Sequence, residues 1–415
     1  MTTRHSPCRV AYISQFFEPE PVLKGLAFAK QLAVRDFDVE VITGFPNYPT
    51  GNLYSGYRIR CIQREVIGGV KVVRLPLFPS HDQSAFRRVL NYLSFSLSVA
   101  IYGLFFMRRA DVMYVYHPPL TVGLAATLIR FFRRIPFVYD IQDLWPDTLS
   151  ATGMVSHKRV LSLVGVACRL VYRMASHITV LSPGFKVALV KRGVPSRKVS
   201  VIMNWADERA LDGQQPTVTH ETALSAGFNV LFAGNMGKAQ GLEALLDAAE
   251  VLSDNGSSSN ILFIGQGVER SRLEALAKAK SIRNVRFLDP VGMTEIGSYL
   301  READALIVHL KADHLFEITI PSKTQAYMCV GRPVIMAVRG DAADLIRISG
   351  GGVVADPGDP YSIAHAVLRL ERLSPMERDK IGKKGRSFYS DNLSLQIGAD
   401  RFAEVLRTAA NGSAV

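Results

Sequence analysis

The stretch from Val10 to Thr43 constrains this chain more than any other. An apolar run (Val10–Phe17) is followed by a loop, an apolar segment at helical spacing (Leu26–Val34) and a second apolar run (Val39–Thr43). Strand, loop, helix and strand at this spacing open a parallel, doubly wound sheet. The alternation continues through Val70–Leu75, Asp111–Tyr116, Pro136–Ile141, His177–Leu181 and Val199–Met203. It restarts at Phe228–Ala233 and passes through Ile261–Gly265, Val285–Leu288, Asp304–His309 and Val334–Val338. A chain of 415 residues is long for one core, so two α/β domains are predicted, over 1–206 and 225–385, with the polar stretch 212–227 as linker. Ligands of such sheets sit beyond the carboxyl ends of the strands, so the loops there are where chemistry is expected.

Hydrophobic residues at 48% and charged residues at 21% exclude a disordered chain. Cys8, Cys61, Cys168 and Cys329 stand apart, without a CxxC pair or metal-ligand spacing. They read as structural thiols in a reducing compartment, and neither a metal nor a cofactor is expected. The first apolar run is too short for a signal peptide, so a cytoplasmic protein is expected. The net charge of +12 is uneven: residues 1–204 hold 26 Lys and Arg against 11 Asp and Glu, the remainder 23 against 26. A basic half beside a near-neutral one calls for an anionic partner, such as a phospholipid surface or a pyrophosphate-linked substrate. No recognition motif or interleaved aromatic-basic array supports nucleic acid.

Val89 to Met107 carries no charge and is flanked by Arg87-Arg88 and Arg108-Arg109. Its length is close to that of a bilayer span, but Asn91, Ser94, Ser96, Ser98 and Gly103 interrupt it and a strand follows at once. The preferred reading is a helix partly in the core and partly on a membrane surface, with its arginines at lipid phosphates. A wholly buried helix is the alternative.

Candidate site residues lie in four places. In His314–Val338, Ser322 and Gln325 fit a capping box that starts a helix near Lys323, and Gly331 stops it. The helix N-terminus and Lys323 suit an anion, and Glu317 just before is suited to bind sugar hydroxyls. Alternatively Ser322 and Gln325 only cap the helix and Lys323 is solvated. The turn Gly234-Asn235-Met236-Gly237-Lys238-Ala239-Gln240-Gly241 joins a strand to a helix and is an anion cradle with Lys238 in it. Gly265-Gln266-Gly267 with Arg270 is a weaker fragment of the same kind. In the first half, the loop around Lys24 and Gly25 should face the cleft. His117 ends a strand, and Gln142-Asp143-Leu144-Trp145-Pro146-Asp147 brings Asp140, Asp143 and Asp147 to the end of another. Asp143 as a loop brace is the bland reading.

His314–Val338 resembles the donor-site signature of retaining GT-B glycosyltransferases of family 4, two glutamates flanking seven residues, with Glu317 at the first position and Gln325 at the second. Ile320-Pro321-Ser322-Lys323, the NYPxG wording at Asn47–Gly51 and the DLWP wording at Asp143–Pro146 are similar to the branch that builds bacterial O-antigens, lipopolysaccharide and capsules, including N-acetyl-L-fucosamine transferases. The resemblance runs from about residue 10 to 405. It implies a GT-B fold of two Rossmann-like domains facing across a cleft, with a last segment (386–415) crossing back to the first. It also implies a metal-independent, retaining hexosyltransferase. Gly234, Asn235, Lys238, Gln240, Gly265, Gly267, Ser322 and Gln325 would bind the donor, Gly265 and Gly267 at the base and Gln325 at a ribose hydroxyl. Lys24, Gly25, His117 and Gln142 would lie on the acceptor side, and Glu317, Lys323 and Asp143 would carry catalysis. This sequence departs from the family at Gln142, where many members have His, and at Asn235 and Gln240, where Arg and Lys are usual.

The expected function is transfer of a sugar from a nucleotide-sugar donor, UDP-linked, to a polyprenyl-diphosphate-linked glycan, by a protein peripherally bound to the inner face of the plasma membrane. Two alternatives stay open at this point. One is a sugar-nucleotide epimerase of the same fold. The other is a non-catalytic nucleotide- or membrane-binding partner, which the departures at Gln142, Asn235, Gln240 and Gln325 encourage.

Overall fold

A computed structural model describes residues 7–80, 85–151, 155, 157–211 and 226–412. The chain divides into two compact units, Met1–Met203 with Gly398–Val415, and Asn204–Ile397. Most of the predicted linker, residues 212–225, lies outside the described residues.

The first unit is built on strands β1 (Cys8–Ile13), β2 (Phe37–Gly44), β3 (Gln63–Ile67), β4 (Val70–Leu75), β5 (Val112–His117), β6 (Phe137–Ile141), β7 (His177–Val180) and β8 (Val199–Val201). They form one sheet in the order β3-β4-β2-β1-β5-β6-β7-β8. Every pairing is parallel except β3 with β4, an antiparallel edge pair in which the sequence reading included β4 but not β3. β1 stops at Ile13 instead of reaching Phe17. Beyond it Ser14 N–H still bonds Ile42 O (3.1 Å), but the Ser14 hydroxyl turns to Phe16 O (2.8 Å), and the chain leaves the ladder as a loop. Central strands are buried on both faces, which is why they read as unbroken apolar runs.

The second unit contains β9 (Asn229–Ala233), β10 (Asn260–Ile264), β11 (Val285–Leu288), β12 (Ala305–His309), β13 (Val334–Ala337) and β14 (Gly352–Val354), all parallel, in the order β11-β10-β9-β12-β13-β14. Helices Glu243–Asp254 and Pro360–Glu371 pack together over this sheet, with Leu245, Leu246, Ile363 and Val367 in one core with Phe232 and Ile335.

Helix Pro375–Asn392 stays in the second unit, packed on helix Ser322–Val330. Its Tyr389 hydroxyl donates to the Glu208 carboxylate (2.8 Å), which also accepts from Leu395 N–H (2.9 Å). Return to the first unit therefore begins at Gly398, twelve residues beyond the expected 386. From there helix Leu395–Ala410 sets Phe402 against Phe28 and Tyr114, with ring centroids 5.1 and 5.6 Å apart.

Candidate active site

In the second unit the turns leaving β9 and β10 are laced together through the backbone. Gly234 N–H donates to Ile264 O (2.9 Å) and Met236 N–H to Gln266 O (2.7 Å). The approach is so close that a Cβ on Gly265 would stand 2.0 Å from Gly234 O, and one on Gly267 would stand 2.3 Å from Met236 O. Both glycines have positive φ, 141° and 154°. Their requirement for glycine is thus turn-against-turn packing. Arg270 completes the clamp, donating to Gly265 O (2.6 Å) and Leu288 O (3.0 Å).

Helix Ser322–Val330 brings the cation. Tyr327 is buried and its hydroxyl meets both polar atoms of the Ala233 backbone, accepting from N–H (2.9 Å) and donating to C=O (3.1 Å). Residues four apart share a helix face, so anchoring Tyr327 at the end of β9 places Lys323 beside the Gly234 turn. The lysine nitrogen is buried and makes no hydrogen bond among the described residues, although its stem is partly exposed. It lies 3.6 Å from the centroid of the Phe232 ring, and a methyl on Gly234 would stand 3.4 Å from it. Burial lowers this ammonium to about 7. An unpartnered buried cation above a glycine turn is fitted to receive an anion.

The expected capping box is not formed. The N-cap is Pro321, no side chain caps the helix, and Ser322 is exposed in its first turn. With its side-chain amide turned so that nitrogen faces the acceptors, the buried Gln325 donates to the carbonyls of Pro321 (3.0 Å) and Ser322 (3.1 Å), an arrangement that occupies it within the helix. Glu317 ends a short helix, His314–Glu317, whose N-cap Asp313 bonds Leu315 N–H (2.8 Å). Its carboxylate is partly exposed, 3.7 Å from His314 Nδ1.

Asn235 and Lys238 are exposed on the cradle. Gln240 folds back to accept from Gly237 N–H (3.0 Å), bracing the turn from inside. The sequence reading missed His309. Its Nε2 accepts from Gly358 N–H (3.0 Å), which fixes Nδ1 as the donor to Gln240 O. Burial lowers its pKa; the Gln240 carbonyl works the other way, and the Lys323 charge adds to the lowering. A neutral imidazole therefore ties the glycine turn to the 356–359 turn. An imidazole at the end of an apolar strand was the available signal.

In the first unit the structure corrects several assignments. Lys24 is wholly buried and paired with Asp140 (2.7 Å). Asp140 also accepts from Tyr114 (2.6 Å) and Thr179 (2.8 Å), so neither residue is open to a ligand. Gly25 starts helix Leu26–Val34, but the first N–H of that helix is taken by the Glu18 carboxylate (2.7 Å). Asp147 pairs with Arg192. Of the three carboxylates grouped in the sequence only Asp143 remains, and burial raises its pKa. His117 is buried edge-on to Trp145 and held down to about 3, so it is neutral. Gln142 is half-buried at the end of β6. Glu20 had drawn no notice; its carboxylate accepts from Phe17 (3.1 Å), Asn47 (2.8 Å) and Tyr48 (2.8 Å) N–H, joining the loops after β1 and β2.

Predicted membrane contact falls on helix Ala85–Phe105, which is long and apolar enough to cross a bilayer by length and composition, with a third of the apolar window buried. Its serines face inward: Ser96 donates to Thr121 O and Ser98 to Pro76 O (2.7 Å). Val89, Leu93, Leu97, Ile101 and Phe105, four residues apart, form an exposed stripe. Helix Leu120–Arg133 lies beside it and helix Lys158–Met174 beside that, with Leu128, Leu163, Val166 and Leu170 also exposed.

Residues 26–205 match the glycosyl transferase 4-like domain and residues 227–372 the glycosyl transferases group 1 domain. The chain is a two-domain glycosyltransferase of the GT-B class. Among similar proteins, WcaI of Escherichia coli (strain K12), named as a colanic acid biosynthesis glycosyl transferase, is 26% identical over 319 residues, covering 72% of this chain and 75% of WcaI. WbjE of Pseudomonas aeruginosa, named as a glycosyltransferase, is 24% identical over 311 residues, with the same coverage of 72% and 75%. HepE of Anabaena in complex with UDP has the same fold at 16% identity, with a TM-score of 0.71 over 96% of this chain and 100% of that one.

Proposed function

We propose that this protein moves a sugar from a nucleotide-sugar donor, a UDP-sugar, to a polyprenyl-diphosphate-linked glycan in cell-surface polysaccharide biosynthesis, with retention of configuration and without a metal. The observation that carries the reading is Lys323, a buried ammonium beside the Gly234 turn with no hydrogen-bond acceptor among the described residues. In this reading it receives the donor diphosphate, together with Lys238. As the glycosidic bond to the diphosphate breaks, negative charge grows on the leaving oxygens, and fixed cations and dipoles stabilise it. Glu317 holds hydroxyls of the oxocarbenium-like sugar, which the acceptor hydroxyl captures on the same face. The acceptor's proton passes to the departing phosphate. UDP-glucose in HepE and the colanic acid assignment of WcaI support the donor and pathway classes.

The acceptor is lipid-linked in this reading, and the apolar stripe of helix Ala85–Phe105 docks on an anionic bilayer at the inner face of the plasma membrane. Charge complementarity supports that occupant, since Arg87, Arg88, Arg108, Arg109, Lys158 and Arg159 flank the exposed apolar helices. The test is transfer from a panel of UDP- and GDP-sugars to membrane extracts containing polyprenyl-diphosphate glycans. Transfer from a UDP-sugar, lost in Glu317→Ala, is expected. Release of an epimerised free nucleotide sugar would move the assignment to an epimerase, and nucleotide binding without turnover to a non-catalytic partner.

A further inference from the structure

At the end of the first-unit sheet opposite the loops described above, before the starts of β6, β7 and β8, the structure opens a cavity of about 720 Å³. Arg130, Arg134, Arg173, Arg197, Lys198 and His177 line it, and among the described residues no acidic side chain does. Arg130 and Arg134 come from the end of helix Leu120–Arg133, Arg173 from the end of helix Lys158–Met174, and Arg197 and Lys198 from the turn Ser196–Lys198.

Helix carboxyl ends attract cations, and that accounts for one of the five. The Lys198 ammonium donates to the carbonyls of Tyr172 (2.7 Å) and Arg173 (2.8 Å). Arg130 donates to the Ser176 hydroxyl, a neutral partner. Among the described residues the first-unit ion pairs involve other side chains, so no carboxylate answers any of these cations. Crowding follows: burial and the Arg130 charge lower Lys198 to about 8. His177 adds no charge, because burial and the charges of Lys186 and Lys198 hold it near 4.

We infer that this cavity binds a phosphate-bearing anion, its phosphoryl oxygens held by the guanidinium groups of Arg130, Arg134, Arg173 and Arg197. Guanidinium forks match phosphate oxygens two at a time, and the cavity is larger than one phosphate ion requires. Such a ligand is either a lipid headgroup or a soluble phosphate compound. Phe131 and Phe132, 69% and 66% exposed between Arg130 and Arg134, suit the headgroup, since a lipid would present both phosphate and hydrocarbon there. The site uses neither the donor residues nor Glu317, so it stands or falls apart from the transferase reading.

The experiment compares the full chain with the exposed double variant Arg173→Glu/Arg197→Glu and with a charge-matched control, Arg58→Glu/Arg60→Glu, at the opposite end of the sheet. Binding of inorganic pyrophosphate is measured by calorimetry. Sedimentation is measured with vesicles of phosphatidylcholine alone or mixed equally with phosphatidylglycerol. A cooperative thermal transition within a degree or two of the unmodified chain serves as the folding control. A tenfold or greater loss of pyrophosphate affinity in the cavity variant alone supports a soluble phosphate ligand. A tenfold loss of phosphatidylglycerol-dependent sedimentation in that variant alone supports a headgroup. Equal losses in both variants, or no binding of either probe by the unmodified chain, would overturn the inference.

Discussion

The Lys323 ammonium rests 3.6 Å from the centroid of the Phe232 ring, and that ring is its only close partner among the described residues. A desolvated cation–π contact contributes roughly 2 kcal/mol, less than the hydration the nitrogen gives up, and so the ammonium is lowered to about 7. A bound diphosphate restores the charged form. UDP affinity is therefore expected to be highest below pH 7 and to fall as pH rises, approaching tenfold per pH unit. Calorimetry above pH 7, where phosphate groups with a second pKa of about 6 are ionised, checks this. Lys323→Arg should flatten the profile; a flat profile in the unmodified protein would mean that Lys323 does not meet the diphosphate.

The same lysine ties stability to pH with the opposite sign from an ion-paired one. Its folded pKa is depressed, while the unfolded chain has an ordinary lysine near 10.4. Between those values the unfolded state binds the extra proton, so stability rises with pH across that window. From pH 7 to 9 the gain should be on the order of 2 kcal/mol relative to Lys323→Met, read from urea unfolding of the ligand-free proteins.

Glu317→Ala should lower sugar transfer roughly a hundredfold, the scale of a misplaced substrate, while UDP affinity stays within about twofold. Gln325→Ala should do the reverse of what its place in the motif suggests. Its amide bonds Pro321 and Ser322, so stability drops by about 1 kcal/mol and UDP affinity does not move. A large loss of UDP affinity would return Gln325 to the ribose.

Gly265→Ala should destabilise the second unit by more than about 3 kcal/mol, because a methyl meets Gly234 O at 2.0 Å in a conformation already costly for alanine. Gly193→Ala, also at positive φ but facing open space, should cost about 1 kcal/mol. Similar melting temperatures for the two variants would refute the close-approach account.

Leu97→Glu places a charge in the middle of the exposed stripe, at a residue 62% exposed. It should abolish binding to anionic vesicles and leave the melting temperature within a degree or two. Unchanged vesicle binding would remove this helix from the membrane reading.

The doubly wound architecture was legible because buried parallel strands leave unbroken apolar runs, and both glycine turns were visible as strand-to-helix punctuation. The residues that aim the site were less so. Tyr327 acts on Ala233 and His309 on Gln240 and Gly358, partners 94, 69 and 49 positions away, and no local pattern records such bonds. Lys24 and Asp140 were misplaced for a related reason: 116 residues separate them, and each alone looks like a loop-end charge facing solvent.

Glu18 occupies the amino end of helix Leu26–Val34, where its carboxylate accepts from Leu26 N–H (2.7 Å). A Cβ on Gly25 would stand 2.5 and 2.7 Å from the two carboxylate oxygens, so the missing side chain leaves room for the acid. A helix amino end otherwise attracts phosphate. Here a tethered carboxylate holds that position at a high effective concentration, and any free anion must outcompete it. Whatever anion approaches this helix end meets a competitor that the chain itself supplies, and would have to displace Glu18 from the Leu26 N–H before it could bind there.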